Sequence, residues 1–185
     1  MTDAIHIGPQ DIIDFWFVEL STNDWFAKSD SVDAHIKARF EITHRAACAC
    51  ELSQWRETPL GRLAEIIVLD QFSRNIFRDE GRAFAADALA LCLAQETIAQ
   101  GHDALLDPPK RAFLYLPFMH SESRSIHKDA MRLFAADGLE DNLEFERKHK
   151  AIIDRFDRYP HRNAVLGRVS SPEEIAFLRE EGSSF

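Results

Sequence analysis

The sequence predicts an all-α fold of about seven to nine helices. Apolar residues recur at helical spacing in nearly every segment, and prolines, capping residues and glycines punctuate the segments. No segment shows sustained alternation of apolar and polar residues, which is the pattern of a half-buried strand. Short connections favour antiparallel neighbours, arranged as a bundle or as stacked helical hairpins.

Prolines and helix-capping residues place the helices of the first half. Pro9 suits the first position of a helix through PQDIIDFWFVEL. A longer helix is predicted from about Ser31 to Glu51. Thr58 and Pro59 open a third helix, which continues through LGRLAEIIVLDQFSRN.

Glycines, prolines and a capping box bound the helices of the second half. Pro117 is predicted to interrupt its helix, because proline has no N–H to donate. The predicted helices lie between Gly81 and Gly101, from Pro108 to Pro117, from there to Gly138, from Asp141 to about Asp157 before Pro160, and from the capping box Ser171–Glu174 to Gly182.

Composition and charge exclude several classes of protein. A chain of 185 residues with 45% apolar and 29% charged residues is typical of one soluble domain, predicted to span residues 1–185. The net charge of −9 disfavours nucleic acid and anionic membranes as partners. Cys48, Cys50 and Cys92 are predicted to be reduced and buried. With no signal-like or membrane-spanning run, we expect a cytoplasmic location, and no feature indicates an oligomeric state.

An ion pair lies on the apolar stripe of the third predicted helix. At about 100° per residue, Asp70 and Arg74 share a face with Ile67 and Phe77. We therefore expect both charged groups to be mostly buried and paired with other segments. The pair either ties helices together or, with Asn75, forms a polar arc that lines a pocket.

A histidine occupies a similar position in LEFERKHKAIIDRF. His149 lies in the middle of a stripe formed by Phe145, Ile153 and Phe156. A histidine at such a position is either a hydrogen-bonded core residue or a functional group.

A third polar group occurs in LPFMHSESRSIH. His120 and His127 are seven residues apart, so a continuous helix would align them, with Glu122 on another side. The spacing matches no standard set of metal ligands, and no metal is predicted.

Four arginines without a lysine lie in RFDRYPHRNAVLGR, namely Arg155, Arg158, Arg162 and Arg168. The planar guanidinium group suits bidentate pairing with carboxylates or phosphates. The cluster therefore either pairs internally or holds a small anion. Pro160 lies between Arg158 and Arg162, and a helix end followed by a proline turn is expected to aim both groups into one space.

The strings LDQFSRNIFR, YLPFMHSES and HKAIIDRFDRYPHRNAVLGR resemble an uncharacterised bacterial family catalogued as domain of unknown function nine-hundred-twenty-four. The resemblance covers nearly the whole chain and implies a tetratricopeptide-like helical fold without an assigned activity. Asp157 stands where the family has glycine, Tyr159 replaces a phenylalanine, and His127 replaces a glutamine. The chain keeps the family's Asp70, Gln71, Arg74, Asn75, His120, Glu122, His149, Arg155, Arg158, His161, Arg162 and Asn163.

Our leading hypothesis is that these segments form one pocket for a small anionic metabolite, because each inward-facing charge costs desolvation. No nucleotide-binding or nucleophile motif and no cofactor signature occurs, so the reaction, if any, stays open. The alternatives are a helical-repeat-like peptide-binding module and a purely structural polar network. The catalytic candidates are His149, His120, Asp70 and Glu122, and the ligand-binding candidates are Arg74, Asn75, Arg155, Arg158, His161, Arg162 and Asn163.

Overall fold

The computed structural model describes residues 7–183, and none of these residues lies in a β-strand. The predicted all-α fold class is therefore confirmed. Residues 1–6 and 184–185 of the predicted domain lie outside the described residues. The stacked-hairpin, tetratricopeptide-like arrangement stays a prediction.

Within the described range, nine α-helices form eight separate rods, in agreement with the predicted seven to nine, because α3 and α4 are continuous through a π-helical turn. A second π-helical segment, Phe15–Glu19, extends the first helix. The helices are α1 (Pro9–Asp14), α2 (Asp30–Cys48), α3 (Pro59–Ile67), α4 (Ser73–Ile76), α5 (Asp87–Ala99), α6 (Pro108–Met119), α7 (Arg124–Leu133), α8 (Glu140–Phe156) and α9 (Pro172–Phe177).

Side-chain caps start three of these helices where the sequence placed them. The Thr58 hydroxyl accepts a hydrogen bond from the Gly61 N–H at 3.1 Å at the start of α3. Asp107 caps α6 in the same way, and Ser171 forms the predicted capping box of α9. Each cap satisfies an N–H group that has no partner within its helix.

Several predicted helix boundaries are wrong. Pro117 does not interrupt α6, because every residue from Ala112 to Met119 is buried and packing holds the helix across the missing N–H. The fifth helix begins at Asp87 rather than Gly81, because Gly81–Phe84 forms a 3₁₀ turn. The helices predicted to end at Gly138 and Gly182 end earlier, at Leu133 and Phe177.

Two predictions about individual side chains are also wrong. His120 and His127 do not share a helix, because the chain leaves the helical path between α6 and α7. The three cysteines, Cys48, Cys50 and Cys92, are free but exposed rather than buried. Cys48 and Cys92 lie on helices that turn other residues inward, and Cys50 lies in the turn that follows α2.

Asp157 ends α8 in the left-handed backbone conformation, with φ of 57°. Glycine adopts this conformation without strain, and aspartate tolerates it better than most residues. Asp157, at the position where the resemblance leads us to expect glycine, therefore still permits the turn that follows α8.

The central rod of α3, the π turn Val68–Phe72 and α4 organises the core. Helix α3 packs against α1, α5 and α6, and the π turn packs against α2 and α5. Side chains such as Leu63, Ile66 and Phe72 are fully buried. A smaller apolar cluster, which includes Ile153 and Tyr159, lies beneath the C-terminal segment. No helix within residues 7–183 is long and apolar enough to cross a membrane.

Gly61 has no room for a side chain. A Cβ atom at this position would lie 1.9 Å from the backbone oxygen of Trp55. We expect Gly61→Ala to lower the free energy of unfolding by about 1–3 kcal/mol or more through overpacking, measured by urea denaturation. Gly8→Ala is the control, since its Cβ would meet nothing closer than 3.6 Å. Equal stability losses in the two variants would contradict this packing argument.

Candidate functional site

A cleft of about 870 Å³ lies beside the π turn, α4, α6, α8 and the segment that follows α8. Its volume is that of a site for a small organic molecule. The lining combines ionisable groups with a larger aromatic and aliphatic surface. The polar lining includes Gln71, Arg74, Asn75, His120, His149, His161 and Arg162. The apolar lining includes Trp25, Phe26, Phe84, Phe113, Leu116 and Phe145.

Arg74 is held at the cleft by two carboxylates. Its Nη1 atom lies 3.1 Å from Oδ1 of Asp70, and its two terminal nitrogens donate to Asp87 at 3.0 and 3.1 Å. Burial lowers the pKa of Arg74, but Asp70 and Asp87 outweigh burial and raise it above the ordinary value. Arg74 is therefore a fixed cation, with 21% of its side chain exposed.

Asp70 lies behind this arginine, in the π turn, and is 1% exposed. Its carboxylate accepts hydrogen bonds from His120 Nδ1 at 2.7 Å and from the Gln71 amide at 2.5 Å. Burial raises the pKa of Asp70, but Arg74 and His120 outweigh burial and hold it well below the ordinary value. Asp70 is thus buried and paired across segments, as the helical stripe led us to expect.

The bond to Asp70 sets the tautomer of His120. Burial and the charge of Arg74 lower the pKa of His120, although Asp70 opposes the shift. A neutral ring that donates from Nδ1 carries a lone pair on Nε2. Since His120 lines the cleft, this arrangement can accept a proton from a bound molecule.

Arg162 is a buried guanidinium with few protein partners. It is 6% exposed, and Nη1 donates to Asp87 at 3.2 Å. The group lies over the rings of Phe84 and Tyr159, at 4.4 and 4.6 Å from their centroids. Its Nε atom has no hydrogen-bond partner among the described residues. Burial lowers the pKa of Arg162, and the nearby Arg74 adds to this effect while Asp87 opposes it.

Two more histidines line the cleft as neutral rings. Burial lowers the pKa of His149 to about 3, although a 2.8 Å hydrogen bond to the backbone oxygen of Phe145 opposes the shift. Burial and the charge of Arg162 lower the pKa of His161 to about 4. Their environment therefore disfavours additional positive charge at neutral pH.

Asn75 lies at the rim of the cleft. Its amide donates to Asp33 at 2.7 Å, and the same carboxylate binds the Arg78 guanidinium through both oxygens. This ion pair fixes α4 against α2. Asn75 therefore lines the cleft, but its amide N–H is bound to the carboxylate of Asp33 in α2.

Glu122 is not among the residues that line the cleft. Its carboxylate forms a bidentate pair with Arg168 at 2.7 and 3.0 Å and accepts the backbone N–H of Tyr159. His127 instead pairs with the buried Glu146 at 2.7 Å. Of the two carboxylates that are catalytic candidates, Asp70 rather than Glu122 is therefore the hydrogen-bond partner of His120. Among residues 7–183, no group of three or more His, Cys, Asp or Glu side chains is arranged to hold a metal ion.

The expectation that the clustered arginines share one space is also wrong. Arg155 pairs with Glu173 at the surface. Arg158 forms a bidentate pair with Glu174 at 2.6 and 2.7 Å. The turn at Pro160 thus sends Arg162 alone into the cleft. Asn163 is buried outside the cleft, where its amide donates to Ser170.

Three residues of the site escaped the sequence analysis: Asp87, Phe84 and Tyr159. Asp87 binds both Arg74 and Arg162. The sequence does not reveal this role, because acidic residues are common in the first turn of a helix whether or not they have a partner elsewhere in the chain. Phe84 and Tyr159 provide aromatic faces for Arg162. Of these three, only Tyr159 lay in a motif that the sequence singled out.

Comparisons with known proteins support the fold and assign no chemistry. A family model described as "Bacterial protein of unknown function (DUF924)" matches residues 12–182. The solved structure of a protein of unknown function, ATU0120 from Agrobacterium tumefaciens, is 39% identical with a TM-score of 0.87, and the match covers 92% of this chain and 96% of that chain. No curated protein matches the chain.

Removal of the Asp70 charge tests the polar centre. We expect Asp70→Asn to lower the free energy of unfolding by about 3 kcal/mol. This value is the lower end of the cost of breaking a buried ion pair, because Arg74 is still paired with Asp87 in the variant. The pKa of Asp70 is lowered on folding, so its contribution is present above the ordinary carboxyl pKa and is lost as the pH falls below it. Urea denaturation at neutral and acidic pH measures both effects. An unchanged stability at neutral pH would contradict the role of this pair.

The buried histidines predict acid sensitivity. Folding lowers the pKa of His149 to about 3. As the pH falls below about 6.5, His149 therefore takes up a proton in the unfolded chain but not in the folded protein, and the free energy of unfolding decreases. We expect His149→Gln to remove about 1.4 kcal/mol per pH unit from the slope of unfolding free energy between about pH 6 and pH 4. Urea denaturation across this range measures the slope. Identical slopes in parent and variant would show that His149 is charged in the folded protein.

Proposed function

The chain belongs to the bacterial DUF924 family of unknown function, and we propose from its geometry that the cleft binds a small anionic metabolite at Arg74 and Arg162. The observation that carries the proposal is the state of Arg162. A guanidinium has five N–H donors, and Arg162 uses one of them on Asp87, which leaves four without a protein acceptor among the described residues. A carboxylate or phosphate oxygen in the cleft supplies acceptors that match this planar fork.

The charges around Arg162 also support an anion as ligand. Arg74 and Arg162 share one carboxylate, Asp87, while Asp70 is committed to Arg74 and His120. With two arginines and two aspartates, the centre is close to neutral. A bound monoanion adds one negative charge, which raises the pKa of the neighbouring histidines and favours uptake of a proton.

A proton can then be exchanged at the same place. Asp70 fixes His120 with Nδ1–H directed at its carboxylate, so Nε2 is the basic atom of this ring. In our proposal the neutral ring of His120, or of His149 on the neighbouring wall, accepts a proton from the ligand. This role requires the ligand to be anchored by the arginines first.

The alternative of a purely structural network predicts that the arginine donors are consumed within the protein. Arg158 illustrates that case, since its side chain binds Glu174 and the backbone oxygen of Val169. Arg162 differs, because within residues 7–183 its side chain forms one hydrogen bond, to Asp87, and it lies at an open cleft. This difference favours the binding site over the structural network.

Isothermal titration calorimetry with acetate, phosphate and citrate tests the proposal. We expect one-site binding of at least one of these anions to the parent protein and a loss of about tenfold or more in affinity for Arg162→Lys, because lysine keeps the charge but loses the planar fork.

Arg155→Lys is the matched control, since it makes the same change in the same motif at a surface ion pair outside the cleft. We expect this variant to bind anions as the parent does. Absence of binding to the parent, or equal binding by Arg162→Lys, would overturn the proposed function.

A further inference from the structure

The long axis of the cleft is defined by two helices that run in the same direction. The starts of α6 and α8 lie together, because a Cβ atom on Gly138 would lie 3.1 Å from Pro108. Their later parts are joined by Tyr159, whose hydroxyl donates to the backbone oxygen of Met119 and whose ring packs on His149. At 1.5 Å per residue, the distance from Pro108 to Met119 is about 16 Å.

Helix α6 changes from apolar to polar along this axis, whereas α8 contributes polar groups at both ends. On α6 the lining passes from Pro109 through Phe113 and Leu116 to His120. On α8 it passes from Leu139, Asp141 and Asn142 through Phe145 to His149. The arginines lie at the polar end, since Arg162 stacks on Tyr159 and Arg74 shares Asp70 with His120.

The apolar part of the cleft includes aromatic surface that the fold leaves uncovered. Phe26 is 71% exposed, although its ring lies parallel to that of the buried Phe113 at 6.2 Å between centroids. Phe145 is 49% exposed on the α8 side. Exposed aromatic groups that line a concave surface are typical of a ligand site.

Acidic groups occur on the same lining, outside the arginine end. Asp79, Glu80 and Asp141 line the cleft and are exposed. Asp79 has a salt bridge with Lys28 at 3.9 Å, between two mostly exposed side chains. The cations of this part of the lining, Lys28 and Arg78, pair with Asp79 and Asp33, so a second negative charge on a ligand would compete with carboxylates for them. The near-neutral centre at Arg74 and Arg162 likewise accepts one negative charge more readily than two.

We infer that the ligand is a monocarboxylic acid with an uncharged apolar tail, an inference that rests on the proposed anion site. The carboxylate binds the guanidinium of Arg162 beside Arg74. The tail lies between α6 and α8, along Leu116 and Phe113 towards Phe26. The length of the axis admits a medium-length aliphatic chain or an aromatic ring on a short linker.

A series of straight-chain acids tests the inference by calorimetry at one fixed pH. We expect the affinity to rise about fourfold for each added methylene group from acetate through butyrate to hexanoate, as the tail is buried. Hexanol, which has the tail without the carboxylate, is expected to bind at least about tenfold more weakly than hexanoate.

Variants locate the tail. Phe26→Ser removes an exposed ring from the cleft and is expected to weaken hexanoate about twofold to fourfold while acetate is unaffected. Ile42→Ser is the matched control, because Ile42 is similarly exposed, at 74%, and lies outside the cleft. It is expected to change neither affinity.

The outcomes separate the two proposals. If acetate binds through Arg162 but the affinity does not rise with chain length, the inference about the tail is overturned and the anion site stands. If hexanol binds as tightly as hexanoate, or Arg162→Lys binds hexanoate as the parent does, the anchored-acid arrangement is overturned. If none of the acids binds and phosphate and citrate also fail, both proposals fall.

Discussion

The buried carboxylate of Asp70 is the group on which the rest of the candidate site depends. It lies in the π turn of the central rod, accepts a hydrogen bond from His120 at the end of α6, and pairs with Arg74 in α4. A buried carboxylate is stable only while such partners compensate its desolvation. One side chain therefore sets both the position of a cation and the tautomer of a histidine at the cleft.

Asp87 extends this arrangement to the C-terminal segment. It accepts hydrogen bonds from Arg74 and from Arg162, which are far apart in the chain. Asp87 therefore brings two guanidinium groups together. Its single negative charge is shared between them. Burial lowers the pKa of both His149 and His161, and the charge of Arg162 adds to this effect at His161. The cleft therefore combines fixed cations with neutral histidines, which is the arrangement on which our proposal of anion binding rests.

The sequence was sufficient for the fold class and for the inward direction of Asp70, because helical periodicity reports which face of a helix is buried. It did not identify Asp87 as a shared partner, since periodicity contains no information on contacts between distant segments. Pro117 shows a second limit, because a local helix-breaking preference was overridden by the burial of its neighbours. The π turn at Val68–Phe72 also departs from the 3.6-residue period on which the helical stripe was drawn.

The arginine-rich motif gives Arg158 a structural role and, in our proposal, gives Arg162, four residues later, a binding role. Arg158 uses its donors on Glu174 and on the backbone oxygen of Val169, which clamps the start of α9 to the end of α8. The chain turns at the left-handed Asp157, directly before Arg158, and again at Pro160, between the two arginines. With Arg158 fixed outside, this turn delivers Arg162 to the cleft. The order of the two arginines therefore follows from geometry: the first stabilises the turn, and the second is left with donors for a ligand.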